Sequence, residues 1–310
     1  MQRRNFLKSA LAGSVVIKTA SAGRPIPRRR YLGNIELSII GFGGIVVMGQ
    51  EQEAVNRMVA DSVDRGINYF DVAPSYGKGE AQQKLGPALV PHRKNVFLAC
   101  KTEARDAAGS QKQLEESLRV LRTDHFDLYQ LHGVTKMSDV EQILGPGGAL
   151  ETLVKAREQG KVRHLGFSAH SVEAALALMD KFRFDSILFP TNFVCFAQGN
   201  FGPQVIAKAK EKGVARLALK AMAHTKWPEN LKRADRKYPK CWYSPVDNKE
   251  LSIQALRFTL SEDITAAVPP GDERLYRIAL DYAAGFKPLG REERTRLLAA
   301  TKGIEPIFRA

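Results

Sequence analysis

The feature that most restricts the fold is a repeated junction in which a charged helical turn meets a glycine and then a short apolar run. It occurs as DRGINYFDV at 64–72, EQGKVRHLGF at 158–167 and EKGVARLAL at 211–219. Glycine just past a last helical turn takes a left-handed backbone that other residues avoid, so the helix stops there and the chain passes straight into a strand. Upstream of the first junction, Val55, Met58, Val59 and Val63 recur at helical spacing and predict a helix over 52–65. The apolar runs are IIGFGG, INYFDV, VFLACK, FDLYQLH, VRHLGF, SILFPTN, ARLALK and ITAAVP. Near-continuous apolar runs belong to parallel strands buried on both faces. Eight of them, alternating with helical segments at roughly 25–35 residue intervals, predict an α/β fold of the (β/α)8 TIM barrel type. A doubly wound open sheet is the alternative. Ile35, Leu37 and Ile39, leading into the first run, predict a short N-terminal β-hairpin.

A barrel of this type gathers its reactive groups at the C-terminal ends of its strands. The polar residues at those ends are Asp71, Lys101, His132, Ser168, Asn192 and Lys220, and Tyr76 follows Asp71 in a loop rich in Pro, Ser and Gly. A phenol with an ordinary pKa of about 10 is a weak proton donor at neutral pH. An ammonium beside it favours the ionised form, and a carboxylate holds that ammonium in place. Asp71, Tyr76, Lys101 and His132 therefore read as a catalytic set in which Tyr76 is a general acid toward a carbonyl oxygen. Lys101 lowers its pKa, Asp71 orients Lys101, and His132 donates a hydrogen bond to the same oxygen. This chemistry needs no metal. The three cysteines, Cys100, Cys195 and Cys241, show no metal-binding spacing and read as buried thiols.

The chain has 310 residues, 44% of them hydrophobic and 26% charged, which excludes a disordered or collagen-like protein. Its net charge of +14 admits nucleic acid, membrane or anionic ligands as partners. Part of that charge is N-terminal. Arg3 and Arg4 precede Asn5, Phe6, Leu7 and Lys8, then a weakly apolar stretch from Ala10 to Ile17, then the small-residue triplet Ala20-Ser21-Ala22. That order is the order of an export signal and resembles the twin-arginine type. Residues 1–22 are therefore expected to be a signal peptide, 23–30 a solvated basic linker, and 31–310 one barrel domain. The expected location is periplasmic or otherwise exported, through the twin-arginine export machinery, or cytoplasmic if the signal is unused. No later segment reaches the roughly 18 apolar residues of a spanning helix, so no stable membrane insertion is expected after processing.

Several stretches together resemble the aldo-keto reductase family: GFGG at 41–44, DVAPSYG at 71–77, VFLACK at 96–101, LRTDHFDLYQLHG at 121–133 and KVRHLGFSAHS at 161–171. The resemblance covers about residues 30–285. It implies that Asp71, Tyr76, Lys101 and His132 are the family's catalytic tetrad, acting with hydride transfer from a nicotinamide cofactor to a small carbonyl substrate. It implies NADP(H) in preference to NAD(H), bound over the barrel mouth without a GxGxxG fingerprint, which this chain lacks. Gly43, Ser168, Asn192, Lys220, Gly271 and Arg274 are the cofactor-binding positions it suggests, with Lys220 at the diphosphate. The chain departs from the family at Ala169, Leu188 and Leu219, where an asparagine, a glutamine and a ring-stacking aromatic commonly stand. Asp272 and Glu273 stand immediately before Arg274 and would repel a phosphate there, so the choice between NADP and NAD stays open.

Residues 221–248 read as a long loop over the barrel mouth, with Trp227, Trp242 and Tyr243 either shaping a substrate pocket or anchoring the loop. Its aromatic and basic mixture matches no nucleic-acid module, and no nucleic-acid partner is expected. The resulting expectation is an NAD(P)H-dependent oxidoreductase reducing an aldehyde or ketone to an alcohol. The alternatives are a non-catalytic barrel binding a nucleotide or protein partner, and a sugar lyase or isomerase using the same residues.

Overall fold

The computed structural model describes residues 24–310; the expected signal segment 1–22 lies outside them. The described chain opens with an antiparallel hairpin, β1 (Arg28–Leu32) and β2 (Ile35–Ser38), turning at Gly33 with a φ of +52°. Seven parallel strands follow in chain order: β3 (Phe42–Gly43), β4 (Tyr69–Asp71), β5 (Phe97–Thr102), β6 (Phe126–Val134), β7 (Val162–Ala169), β8 (Ser186–Pro190) and β9 (Ala215–Leu219). A small antiparallel pair, β10 (Ala223–Lys226) and β11 (Tyr243–Pro245), precedes the last barrel strand, β12 (Ala266–Val268). Each barrel strand pairs with its predecessor, and β12 pairs with β9. The ring closes where Ala267 N–H donates to Ile39 O and Gly41 N–H to Ala267 O, both at 2.9 Å. A doubly wound sheet would reverse its strand order, and this order does not reverse.

Gly66, Gly160 and Gly213 end their helices with φ of +98°, +73° and +68°, the left-handed conformation that the junctions predict. The first of those helices spans Gln52–Asp64. Tyr69, Phe97, Leu128, Leu188 and Leu217 fill the barrel interior together with Tyr31 and Leu37 of the hairpin. Tyr31 donates its hydroxyl proton to Ser186 Oγ at 2.8 Å. The hairpin thus plugs the N-terminal end of the barrel and leaves the C-terminal mouth as the accessible one.

Two connecting segments are more ordered than expected. The arginine run at 28–30 is most of β1, with Arg28 and Arg30 exposed and Arg29 half-buried. Arg29 donates to the carbonyls of Leu260 at 2.7 Å and Ile264 at 2.9 Å, near the end of the helix Lys249–Ser261, where a guanidinium satisfies carbonyls left without helical partners. The long loop at 221–248 contains β10 and β11, so paired backbone holds its two ends together. All three cysteines are buried free thiols, and among the described residues no helix is long and apolar enough to cross a membrane.

Candidate active site

The barrel places Asp71 at the end of β4 and Lys101 next to the end of β5, where neighbouring parallel strands bring the two side chains into a buried ion pair. Asp71 has a second set of partners: Tyr69 OH and Gln130 Nε2 each donate to its Oδ2 at 3.1 Å. Held in this way, Lys101 Nζ lies 3.4 Å from both Tyr76 OH and the carbonyl of Val72. Burial disfavours the Lys101 ammonium, but the Asp71 carboxylate outweighs it and the pKa ends above the ordinary lysine value. Burial also raises the Tyr76 pKa, against the lowering effect of Lys101. The expected net lowering is therefore reversed, because taking a phenolate out of water costs more than one shared ammonium returns. Tyr76 is a neutral phenol with its proton in place.

His132 reaches the same spot through a local irregularity in β6. The register of β6 against β7 slips between Leu131 and Val134, and Gly133 has a φ of +61°. A bulge of this kind re-aims a side chain at a strand end. Arg105 Nη2 donates to His132 O at 2.9 Å, and Gly133 N–H donates to Ser168 Oγ at 2.8 Å, so the bulge is tied from two sides. The His132 ring meets the Tyr76 ring edge-on, with centroids 5.8 Å apart and planes at 82°. Its Nδ1 lies 3.5 Å from Glu103 Oε1 but makes no hydrogen bond. Burial, then the charges of Lys101, His170, Lys220 and Arg105, push its pKa well below the ordinary histidine value. His132 is a neutral imidazole able to donate one N–H.

Asp71 and Tyr76 open onto a cavity of about 550 Å³ including its mouth, lined also by Gly43, Leu188, Leu219, Lys220, Trp242, Tyr243 and Gly271, and Lys101 and His132 are not part of that lining. Lys220 Nζ sits over the rings of Trp242 at 5.4 Å and Tyr243 at 5.0 Å. The geometry is therefore a buried proton donor, a cation behind it and a neutral hydrogen-bond donor beside it, at the mouth of an eight-stranded barrel.

A family model described as "Aldo/keto reductase family" matches residues 39–284. The chain belongs to the aldo/keto reductase family. It is 29% identical to an uncharacterized oxidoreductase, YqkF, of Bacillus subtilis, over 46% of this chain and 49% of that protein. It is 31% identical to the aldo-keto reductase yakc [NADP(+)] of Schizosaccharomyces pombe, over 49% of each chain. The chain spans about half the length of the curated relatives it matches. Among solved structures, it resembles aldo-keto reductase AKR11C1 of Bacillus halodurans in its holo form, with a TM-score of 0.69 and 21% identity, covering 91% of this chain and 98% of that one.

The expected cofactor side is arranged differently from the group of Asp71, Tyr76, Lys101 and His132. Ser168 Oγ holds the bulge behind His132. Asn192 Oδ1 accepts Cys195 N–H and so caps the helix Phe193–Gly199, while its buried Nδ2 has no partner among the described residues. A Cβ on Gly43 would meet Val268 Cγ1 at 2.9 Å, and one on Gly271 would meet Ile45 Cγ2 at 2.2 Å. Glycine at both positions thus answers packing within the barrel, and their backbones still line the cavity. Arg274 does not line it: its Nε and Nη2 grip Asp272 at 2.9 Å, and Nη2 also donates to Lys237 O at 2.6 Å. Trp227 does not line it either, since its Nε1 donates to Cys241 O at 3.0 Å and anchors the loop. Trp242 and Tyr243 do line it.

Sequence reasoning missed Tyr69, Gln130, Arg105 and His170. Tyr69 and Gln130 stand two residues before Asp71 and His132, on the inward face that strand alternation gives them, and that period was the available signal. His170, stacked on Phe308 with centroids 5.0 Å apart, is joined to the site by the C-terminal segment, for which the sequence carries no local sign.

Proposed function

We propose that the protein reduces an aldehyde or ketone to the alcohol with NAD(P)H, Tyr76 serving as general acid. The observation that carries this reading is the buried Asp71–Lys101–Tyr76 chain opening on the cavity, with His132 edge-on to the phenol. Tyr76 OH gives its proton to the carbonyl oxygen as negative charge builds there. The ammonium of Lys101 stabilises the phenolate that remains, and Tyr69 and Gln130 keep Asp71 from turning away from it. Neutral His132 donates a second hydrogen bond to the same oxygen, where a preorganised donor is worth most. A bound reduced nicotinamide supplies the hydride.

The residues fit that group in part. The backbones of Gly43 and Gly271 are at the cavity wall, whereas Asn192, just past β8 with a buried unpaired Nδ2, and Ser168, which accepts Gly133 N–H, do not line it, so Asn192 Nδ2 is the one of the two with a free donor for a carboxamide oxygen. NADP(H) is favoured over NAD(H) on the likeness to a relative named for NADP(+). Arg274 would meet a 2′-phosphate through Nη1, the guanidinium nitrogen without a hydrogen bond among the described residues. The test is fluorescence titration with NADPH and NADH, followed by aldehyde-dependent loss of nicotinamide absorbance over a panel of small aldehydes. Saturable binding with turnover is expected; failure to bind either cofactor overturns the reading, and binding without turnover of any aldehyde favours a non-catalytic barrel.

The export reading is part of the same proposal. Arg3-Arg4, the apolar stretch and Ala20-Ser21-Ala22 support a twin-arginine signal over 1–22, delivering the barrel domain to the periplasm. Cell fractionation checks it: replacing Arg3 and Arg4 by Lys retains an exported protein in the cytoplasm, and an unchanged distribution argues against the signal.

A further inference from the structure

The charges around the cavity cancel in pairs, with one exception. Lys101 is paired with Asp71, and Lys240 Nζ lies 3.0 Å from Glu273 Oε2 and 3.0 Å from the Val46 carbonyl. Lys220 has no carboxylate within ion-pair distance among the described residues, and Asp71, already paired, is the carboxylate that lines the cavity. Two aromatic faces, Trp242 and Tyr243, flank its ammonium, which is how proteins hold a desolvated cation in place without neutralising it. Its backbone is left-handed, with a φ of +67°, a conformation that costs a non-glycine residue free energy, and the residue lines the cavity. Its charge is close enough to His132 and His170 to depress both. Burial pulls Lys220 itself down to about 8, a penalty that a bound anion would relieve.

We infer that Lys220 is a substrate-specificity residue that pairs with a carboxylate carried by the carbonyl substrate, so that the preferred substrates are small aldehyde or ketone acids. The substrate part of this inference rests on the reductase reading; the anion site does not. The cofactor diphosphate is the other source of an anion, and the resemblance to the family assigns Lys220 to it. Lys220 lines the same cavity as Tyr76, which is where a small carbonyl acid would have both its carbonyl and its carboxylate met, and the cofactor-affinity measurement below separates that source of the anion from the diphosphate.

The experiment compares 4-oxobutanoate with butanal, which differ by the terminal carboxylate. In Lys220→Met the ratio of their kcat/KM values is expected to fall by about tenfold to a hundredfold, the worth of one charge-assisted contact, and Lys220→Arg should restore much of it. The dissociation constants of NADPH and NADH, read by fluorescence, should shift by less than about twofold. An unchanged ratio overturns the inference, as does a loss of cofactor affinity with both aldehydes falling together, which would return Lys220 to the diphosphate. If the wild-type protein reduces neither aldehyde, the reductase reading fails. The anion site is then judged by tryptophan fluorescence on titration with 4-hydroxybutanoate against 1-butanol: saturation by the acid in wild type, weakened in Lys220→Met, supports it, and no response overturns it.

Discussion

The two halves of the barrel mouth treat their polar groups in opposite ways. On the β4–β6 side every charged group has a partner inside the protein: Asp71 with Lys101, Tyr69 and Gln130, and Lys101 with Tyr76. On the β7–β12 side, polar groups either hold the scaffold, as Ser168 does for Gly133 and Arg274 for Asp272, or stand unmatched, as Asn192 Nδ2 and Lys220 do. In the proposed reduction the first side supplies the proton transfer, which is the same for every substrate. On the second side Lys220, which lines the cavity, is the charged group that a ligand would match. Unpartnered buried polar atoms occur on both sides, since Tyr129 OH, Gln130 Oε1 and His132 Nδ1 on β6 also lack partners among the described residues, so what separates the halves is whether their charges are paired.

The largest expected effect breaks the first half. Tyr76→Phe should lower turnover by about two to four orders of magnitude while cofactor affinity is kept, because only the transferable proton is removed. Steady-state rates with a fluorescence titration check this, and full activity in the variant would remove Tyr76 from its role. Next comes Lys101→Met, which leaves Asp71 buried without its cation and should cost about 3–5 kcal/mol of stability by urea unfolding. Adding Asp71→Asn should recover part of that loss, and no recovery would mean that the pair does not act as a unit.

A pH effect links the halves, since a histidine on each is held below its ordinary pKa by burial and by Lys220. Burial lowers the His170 pKa to about 3, and the nearby Lys220 adds to the shift. An unfolded histidine binds its proton near pH 6.5 and the folded one resists, so the unfolded state holds more protons between those values. Stability should therefore fall as the pH drops from about 6.5 toward 3, and His170→Phe should flatten that slope. His132 is lowered in the same direction and will leave a residual slope. The smallest effect concerns the cofactor's far end. Asp272→Ala frees the guanidinium of Arg274 and should tighten NADPH relative to NADH by several-fold, about one charge-assisted hydrogen bond at an exposed site. An unchanged ratio of dissociation constants would place the 2′-phosphate away from Arg274.

Much of this was legible before any coordinates. Glycine junctions and apolar runs have local causes, namely left-handed backbone and burial on both faces, so the eight strands and their helices follow from short stretches of chain. Asp71, Lys101 and His132 were visible for a related reason, since an ionisable residue at the end of a buried strand has no place except the barrel mouth. Other features had no local cause. Arg28–Arg30 looked solvated because charge is a poor strand signal, yet Arg29 found two carbonyls more than two hundred positions away. Trp227 and Trp242 are alike in the sequence, and only the pairing of β10 with β11 makes one an anchor and the other a cavity wall.

The order of residues determined which groups stand at the barrel mouth, because strand period and helix capping act over a few positions. Tertiary structure decided their protonation and their partners. Burial keeps Tyr76 a neutral acid against the pull of Lys101, Asp272 occupies Arg274, and Lys220 is left over two aromatic rings with its charge unmet. Those outcomes depend on solvent exclusion and on distances between elements far apart in the chain, which local sequence does not encode.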